Sequence, residues 1–208
     1  MALVIKPLTP DLTEEYLDFF DRRAFSDGSP YYPCYCNAFN LGAAEISELR
    51  KQAQLYGGGT DGWKQALRES AAAMVRSGRI RGYLAFEGDL AAAWCNANDR
   101  ANYCRTGEFD LDDLPAENAS CELPPYGQIK SVVCFAVSPQ YRGRGLASIL
   151  LERFLADAIS EGYAFAEGYP SVNTEEPPFT GPKRLFEKAG FEEYARNGHT
   201  IVMRKALK

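Results

Sequence analysis

Apolar residues recur at helical spacing over Leu12, Tyr16, Leu17 and Phe20, which predicts a first helix running to about Arg23. Before it, Leu3-Val4-Ile5 reads as a strand ending at Lys6-Pro7, and Thr9-Pro10 supplies an N-cap with proline at the first helical position. Residues 26–42 follow neither period and are rich in Gly, Pro, Tyr and Cys. Two further helices are predicted, Ala44 to Tyr56 and Asp61 to Ser77, divided by Gly57-Gly58-Gly59. Tyr83-Leu84-Ala85-Phe86 and Leu90-Ala91-Ala92-Ala93-Trp94 flank a Glu87-Gly88-Asp89 turn and read as a hairpin. A long polar stretch then runs to Gln128, followed by an apolar strand from Ile129 to Val137. Leu146, Ile149, Leu150, Phe154 and Ala158 form the apolar stripe of the next helix, which Gly162 ends. A strand from Tyr163 to Tyr169, a Pro-rich loop, a short helix near Lys183 to Lys188 and strands at Phe191 to Arg196 and His199 to Arg204 complete the order. The succession predicts an α/β (α+β) fold, a central mixed sheet with helices on its faces. No repeat or linker divides it, so residues 1–208 are expected to form a single domain.

Composition narrows the function. Hydrophobic residues make up 46% and charged residues 25%, as in ordinary soluble proteins. The net charge of −5 argues against a nucleic-acid partner, which wants a basic footprint. No apolar run is long enough to cross a membrane, and the N-terminus lacks the basic flank of a secretion signal. Six cysteines are then expected as free thiols in a reducing, cytoplasmic setting. Cys34-x-Cys36 has no second pair at zinc spacing, so no metal is expected. The one histidine, His199, reads as a strand-end residue with no nucleophile motif near it, which disfavours histidine-based hydrolysis.

The chemistry is concentrated in Val133-Cys134-Phe135-Ala136-Val137-Ser138-Pro139-Gln140-Tyr141-Arg142-Gly143-Arg144-Gly145-Leu146-Ala147-Ser148. An apolar strand ends, turns through Gly-x-Gly and enters a helix at once. The first helical turn has amides without internal partners and a dipole that favours anions. Gly143 and Gly145 keep side chains away from those amides, and Arg142 and Arg144 add positive charge at the rim. The run contains neither a Walker loop nor the third glycine of a dinucleotide fingerprint, position 148 being Ser. Gln140-Tyr141-Arg142-Gly143-Arg144-Gly145 instead resembles the GNAT N-acetyltransferase signature, Gln/Arg-x-x-Gly-x-Gly/Ala. Leu185-Phe186-Glu187-Lys188-Ala189-Gly190-Phe191 is similar to that family's Leu-Tyr-Glu-Lys-x-Gly-Phe stretch. The resemblance covers about Arg81 to Lys205, the first eighty residues matching mainly in layout.

The resemblance implies a GNAT-like acyl-CoA N-acyltransferase fold, with residues 81–208 the acetyl-CoA-binding core and residues 1–80 on the acceptor side. It implies acetyl-CoA as co-substrate and direct attack by a primary amine of a small molecule or peptide in a ternary complex. Phe135 and Val137, with Ala136 between them, would meet pantetheine through the main chain. The amides from Arg142 to Ser148, through Gly143, Arg144, Gly145, Leu146 and Ala147, would hold the pyrophosphate. The helix position where the family often has a proton-donating Tyr is Phe186 here, and a strand position that holds a Glu base in some members is Ser131. Glu167 and Tyr169, on one face of the adjacent strand, are the candidate catalytic residues. Cys134, opposite Phe135 in parity, reads as a core thiol. Tyr31, Tyr32, Tyr35 and Cys36 are the candidate acceptor-pocket residues. Glu108, Asp110, Asp112, Asp113, Glu117 and Glu122 form an acidic stretch that could draw a cationic acceptor. The substitutions at Phe186 and Ser131 keep a second reading open, a non-catalytic acyl-CoA sensor; a nucleotide-binding protein ranks third. Either a monomer or a homodimer is compatible with the sequence.

Overall fold

The computed structural model describes residues 3–106, 109–110, 128–171, 179–197 and 199–207. Its main sheet has seven strands in the order β1-β2-β3-β6-β7-β9-β8. These are β1 (Leu3–Pro7), β2 (Gly82–Glu87), β3 (Leu90–Asp99), β6 (Ile129–Val137), β7 (Phe165–Gly168), β8 (Glu192–Asn197) and β9 (Thr200–Ala206). A separate small ribbon pairs β4 (Arg105–Thr106) with β5 (Phe109–Asp110). Every neighbouring pair in the main sheet is antiparallel except β6–β7. That parallel pair requires a crossover, supplied by α4 (Leu146–Ser160).

Strand alternation sends apolar side chains to both faces, and each face is covered. Against one face pack α1 (Thr13–Arg22), α2 (Ala43–Leu55) and α3 (Gly59–Arg76), bringing Tyr16, Leu49 and Val75 onto Leu84, Trp94, Val133 and Val202. Against the other lie α4 and α5 (Lys183–Lys188), with Leu150, Phe154 and Phe186 on Ala85, Val132 and Met203. Trp94 is completely buried, with the Tyr16 ring edge-on at 5.0 Å. The predicted mixed sheet with flanking helices is therefore what forms.

Two local expectations change. The second hairpin strand runs on to Asp99 rather than stopping at Trp94, because Cys95 to Asp99 pair with Phe135 to Lys130. Asn96 and Asn98 obscured this in the sequence; their amides are satisfied by the carbonyls of Cys36 at 2.8 Å and Arg79 at 3.1 Å. Thr9 introduces a short 3-10 turn, Pro10–Leu12, without a side-chain capping bond, and α1 begins only at Thr13.

The important irregularity is at the middle of the sheet. Between Asn96/Cys134 and Ala97/Val132 the register shifts, leaving Val133 as an extra residue in β6. Parallel pairing of β6 with β7 ends at Val132–Gly168, so residues 133–137 continue without β7 beside them. Gly168 is required there, because a Cβ would run into the Phe186 ring. Gly168→Ala is expected to destabilise the fold by about 1–3 kcal/mol through overpacking. Urea unfolding checks this: the midpoint should fall while the slope is unchanged.

Candidate functional site

Beyond β6 the chain makes a single 3-10 turn, Pro139–Tyr141, and enters α4 through Gly143 and Gly145. Both glycines are left-handed, at φ 76° and 79°, and Gly145 is the residue preceding the helix. A Cβ on either would meet no atom within 4 Å, so these glycines serve the backbone conformation and leave open space in front of it. The amide of Arg142 bonds to the Pro139 carbonyl at 3.3 Å, and the amides of Ser148 and Ile149 return to Gly145 at 3.0 and 3.2 Å. The amides left without an internal partner among the described residues therefore belong to Gly143 through Ala147. This is shorter than the Arg142-to-Ser148 run expected from sequence, because the main chain itself uses both ends. Leu146 is buried and anchors the turn in the core.

The rim arginines are tethered. Arg142 donates to the Val137 carbonyl at 3.2 Å and pairs with Asp27, whose carboxyl it holds below the usual carboxylate range. Arg144 pairs with Glu87 at 2.8 Å and lies over the Tyr141 ring. Each guanidinium is about half exposed, so these exposed pairs are weak and an arriving anion can compete for them.

The edge of β6 that β7 leaves behind is occupied. The Phe135 amide donates to the Phe179 carbonyl at 2.6 Å. Gly181, at φ 85°, packs against the Phe135 ring, and the Phe179 ring meets Tyr31 at 5.1 Å and Phe39 at 6.2 Å. Thr180 between them is buried, and its hydroxyl has no hydrogen-bond partner. Of the two residues expected to present main-chain groups to pantetheine, Phe135 thus has its amide engaged and Val137 its carbonyl. Ala136 and Val137 are half-buried.

On the face toward α1–α3 a polar chain crosses the β6–β7 pair. Ser131 and Glu167 are register partners, and Tyr169 joins them: its hydroxyl lies 2.8 Å from Ser131 Oγ and donates to Glu167 Oε2 at 2.7 Å. Burial keeps the Tyr169 phenol protonated well above its ordinary range, with the Glu167 charge adding to the effect. Glu167 is completely buried; Arg204 Nε and Nη2 stand at 2.7 and 2.6 Å from its Oε1, and Arg100 Nε is 3.7 Å from Oε2. Both oxygens of the candidate carboxylate are thus engaged, Oε1 by Arg204 and Oε2 by Tyr169. Phe186 is likewise core, between Phe135 and Phe191. Arg100 and Arg204 were missed from sequence; the only sign of Arg204 was a charge inside an apolar terminal strand, and Arg100 gave none.

The four acceptor candidates separate. Tyr31 touches Phe179, which bonds to β6, whereas Tyr32 faces Phe25 and Lys64. Tyr35 and Cys36 are almost completely buried. The Tyr35 hydroxyl bonds to Asp21, and its carbonyl accepts from Tyr16. Cys36 is left-handed at φ 54° and its thiol lies against Cys134 and Asn96. Burial raises that thiol, but the bonds from Cys134 and Asn96 outweigh it and bring it below the ordinary value. Burial raises Cys34, to about 12. Cys134 lies on the opposite face from Phe135, in the core. No cluster able to hold a metal occurs among the described residues. Except for Asp110 in β5, the acidic stretch from Glu108 to Glu122 lies outside the described residues.

Comparison with known proteins agrees with this geometry. Residues 110–193 match the family model of the acetyltransferase (GNAT) domain. An acetyltransferase of the GNAT family from Streptococcus pneumoniae is 15% identical with a TM-score of 0.54, each chain covered over 100% of its length. An N-acetyltransferase from Staphylococcus aureus is 13% identical with a TM-score of 0.52, also over 100% of both chains. An N-acetyltransferase from Thermoplasma acidophilum, solved in complex with coenzyme A, is 11% identical with a TM-score of 0.52 over 99% of each chain. No curated protein matches the chain in sequence. The chain, with its left-handed glycine turn feeding a helix from the end of a parted strand on a seven-stranded mixed sheet, thus shares the fold of these acetyltransferase structures.

Glu167→Gln should cost about 3–5 kcal/mol, since it leaves buried guanidinium charge without its counter-charge. Denaturant unfolding tests this; a loss under 1 kcal/mol would contradict the pairing.

Proposed function

We propose that this protein is an acetyl-CoA-dependent N-acetyltransferase acting on a primary amine of a small molecule or peptide. The observation that carries the reading is the run of amides from Gly143 to Ala147 without internal partners at the N-terminus of α4, near the stretch of β6 that β7 leaves behind. Such amides suit a pyrophosphate, and Arg142 and Arg144 add charge at its edge. Phe135, Ala136 and Val137 then lie along the path of the pantetheine arm. The Phe135 amide serves that arm once the Phe179 carbonyl gives it up, and it is placed to polarise a thioester carbonyl.

The transfer is direct attack of a neutral amine on the thioester carbonyl carbon. The nitrogen–carbon bond forms, the carbon–sulfur bond breaks, and coenzyme A leaves as the thiol after taking a proton. Holding both substrates in register supplies much of the acceleration. In this reading Tyr169, protonated and held by Glu167 and Ser131, is the candidate proton donor, and Tyr31 and Phe179 form the acceptor-side wall. Free thiols fit a cytoplasmic setting, and no described helix is long and apolar enough to cross a membrane.

The buried Phe186 and the engaged Glu167 favour one alternative, a sensor that binds acyl-CoA without turnover. Thermal shift and thiol release together separate the readings. Acetyl-CoA at a thousand times its dissociation constant should add about 4 kcal/mol of stability, with ATP and NAD adding little. Thiol release in an amine panel then marks an enzyme; tight binding without release across the panel marks a sensor. Gly145→Val should abolish the thermal response while the protein stays folded, because the left-handed strain costs only about 1–2 kcal/mol. Equal stabilisation of the variant would remove the amide run from the cofactor site.

A further inference from the structure

The polar chain under the acceptor face holds more positive charge than it needs. Among the described residues, Arg100, Glu167 and Arg204 are its charged members, and they are 6%, 0% and 9% exposed. Two cations and one anion leave one positive charge in excess. Arg204 is the close partner of Glu167: its Nε donates to Oε1 at 2.7 Å, its Nη2 stands 2.6 Å from the same oxygen without hydrogen-bond geometry, and its guanidinium lies 3.4 Å from the centre of the Tyr194 ring. Glu167 Oε2 is already taken by the Tyr169 hydroxyl at 2.7 Å. Arg100 is the remainder. Its Nε stands 3.7 Å from Oε2, beyond hydrogen-bond distance, and makes no hydrogen bond although its side chain is only 8% exposed. A buried guanidinium with an idle donor is costly unless an anion completes it.

Position says which anion. Arg100 follows directly on β3, whose Asn98 and Asp99 pair with Ser131 and Lys130 of β6, and it reaches the face that carries Ser131 and Tyr169. We propose that Arg100 binds a carboxylate of the acceptor, so that the amine acetylated here belongs to an amino carboxylate. A planar carboxylate matches the guanidinium fork, which a point cation would not exploit. Ser131 lies four residues before Phe135, about 13 Å along an extended strand. The reactive nitrogen and the carboxylate are therefore separated by several bonds, as in an ω-amino acid or a peptide with a free C-terminus. This proposal rests on the acetyl-transfer reading for the identity of the amine, but the anion site itself does not.

The test uses thermal shift with coenzyme A present, comparing 6-acetamidohexanoate with its uncharged amide. The acid should stabilise the wild-type protein at concentrations where the amide has at least tenfold less effect, and Arg100→Gln should erase the difference while still responding to coenzyme A. Equal responses to acid and amide, or a preference for the acid that survives in Arg100→Gln, would overturn the proposal. If that variant fails to fold, Arg100→Lys, which keeps the charge and loses the fork, should lower the preference for the acid; an unchanged preference again overturns it. Absence of any coenzyme A response with the acid preference intact would sink the acetyl-transfer reading and leave the carboxylate site standing.

Discussion

The fold turns on the place where β6 and β7 part. Two sequence features hold it open: the extra residue Val133, which shifts the register of β6 against β3, and Gly168, whose missing Cβ admits the Phe186 ring. The backbone of β6 beyond Val132 is then left with unspent hydrogen-bonding capacity inside a protein, which must be satisfied by something. Phe179 satisfies part of it here. A strand edge held by one loop carbonyl is the sort of group a ligand amide or thioester can take over at small net cost, since one hydrogen bond replaces another.

The same opening organises the two halves of the site. On the face of α4, the Gly143–Gly145 turn delivers amides and the tethered arginines deliver charge. On the face of α1–α3, the chain from Ser131 through Tyr169 and Glu167 to Arg204 fixes side chains that would otherwise be costly to bury. Glu167 sits directly across the strand pair from Ser131 and faces two arginines, Arg204 closely and Arg100 at longer range. Burial raises the phenol of Tyr169 and keeps it protonated, so it serves as a hydrogen-bond donor to Glu167.

Most of the sheet and every α-helix could be read from periodicity, because amphipathic stripes and turn residues are local signals. The glycine turn was equally legible, since Gly143 and Gly145 answer to backbone sterics at their own positions. What escaped the sequence depended on partners distant in the chain. Asn96 and Asn98 look like loop residues until Cys36 and Arg79 present carbonyls to them. Tyr35 and Cys36 show no sign of their burial until Asp21, Tyr16 and Cys134 meet them. Arg100 and Phe179 carry no local pattern, and each acquires meaning only from the strand it meets.

The central claim is that the amides of Gly143 to Ala147 and of Phe135 form one ligand-binding track. Backbone amide NMR during titration with coenzyme A addresses it most directly. The account predicts saturable shifts concentrated at Gly143, Gly145 and Leu146, with the Phe135 amide moving in step as the Phe179 carbonyl releases it. Binding that leaves these amides unmoved, with shifts clustered elsewhere on the sheet, would contradict it.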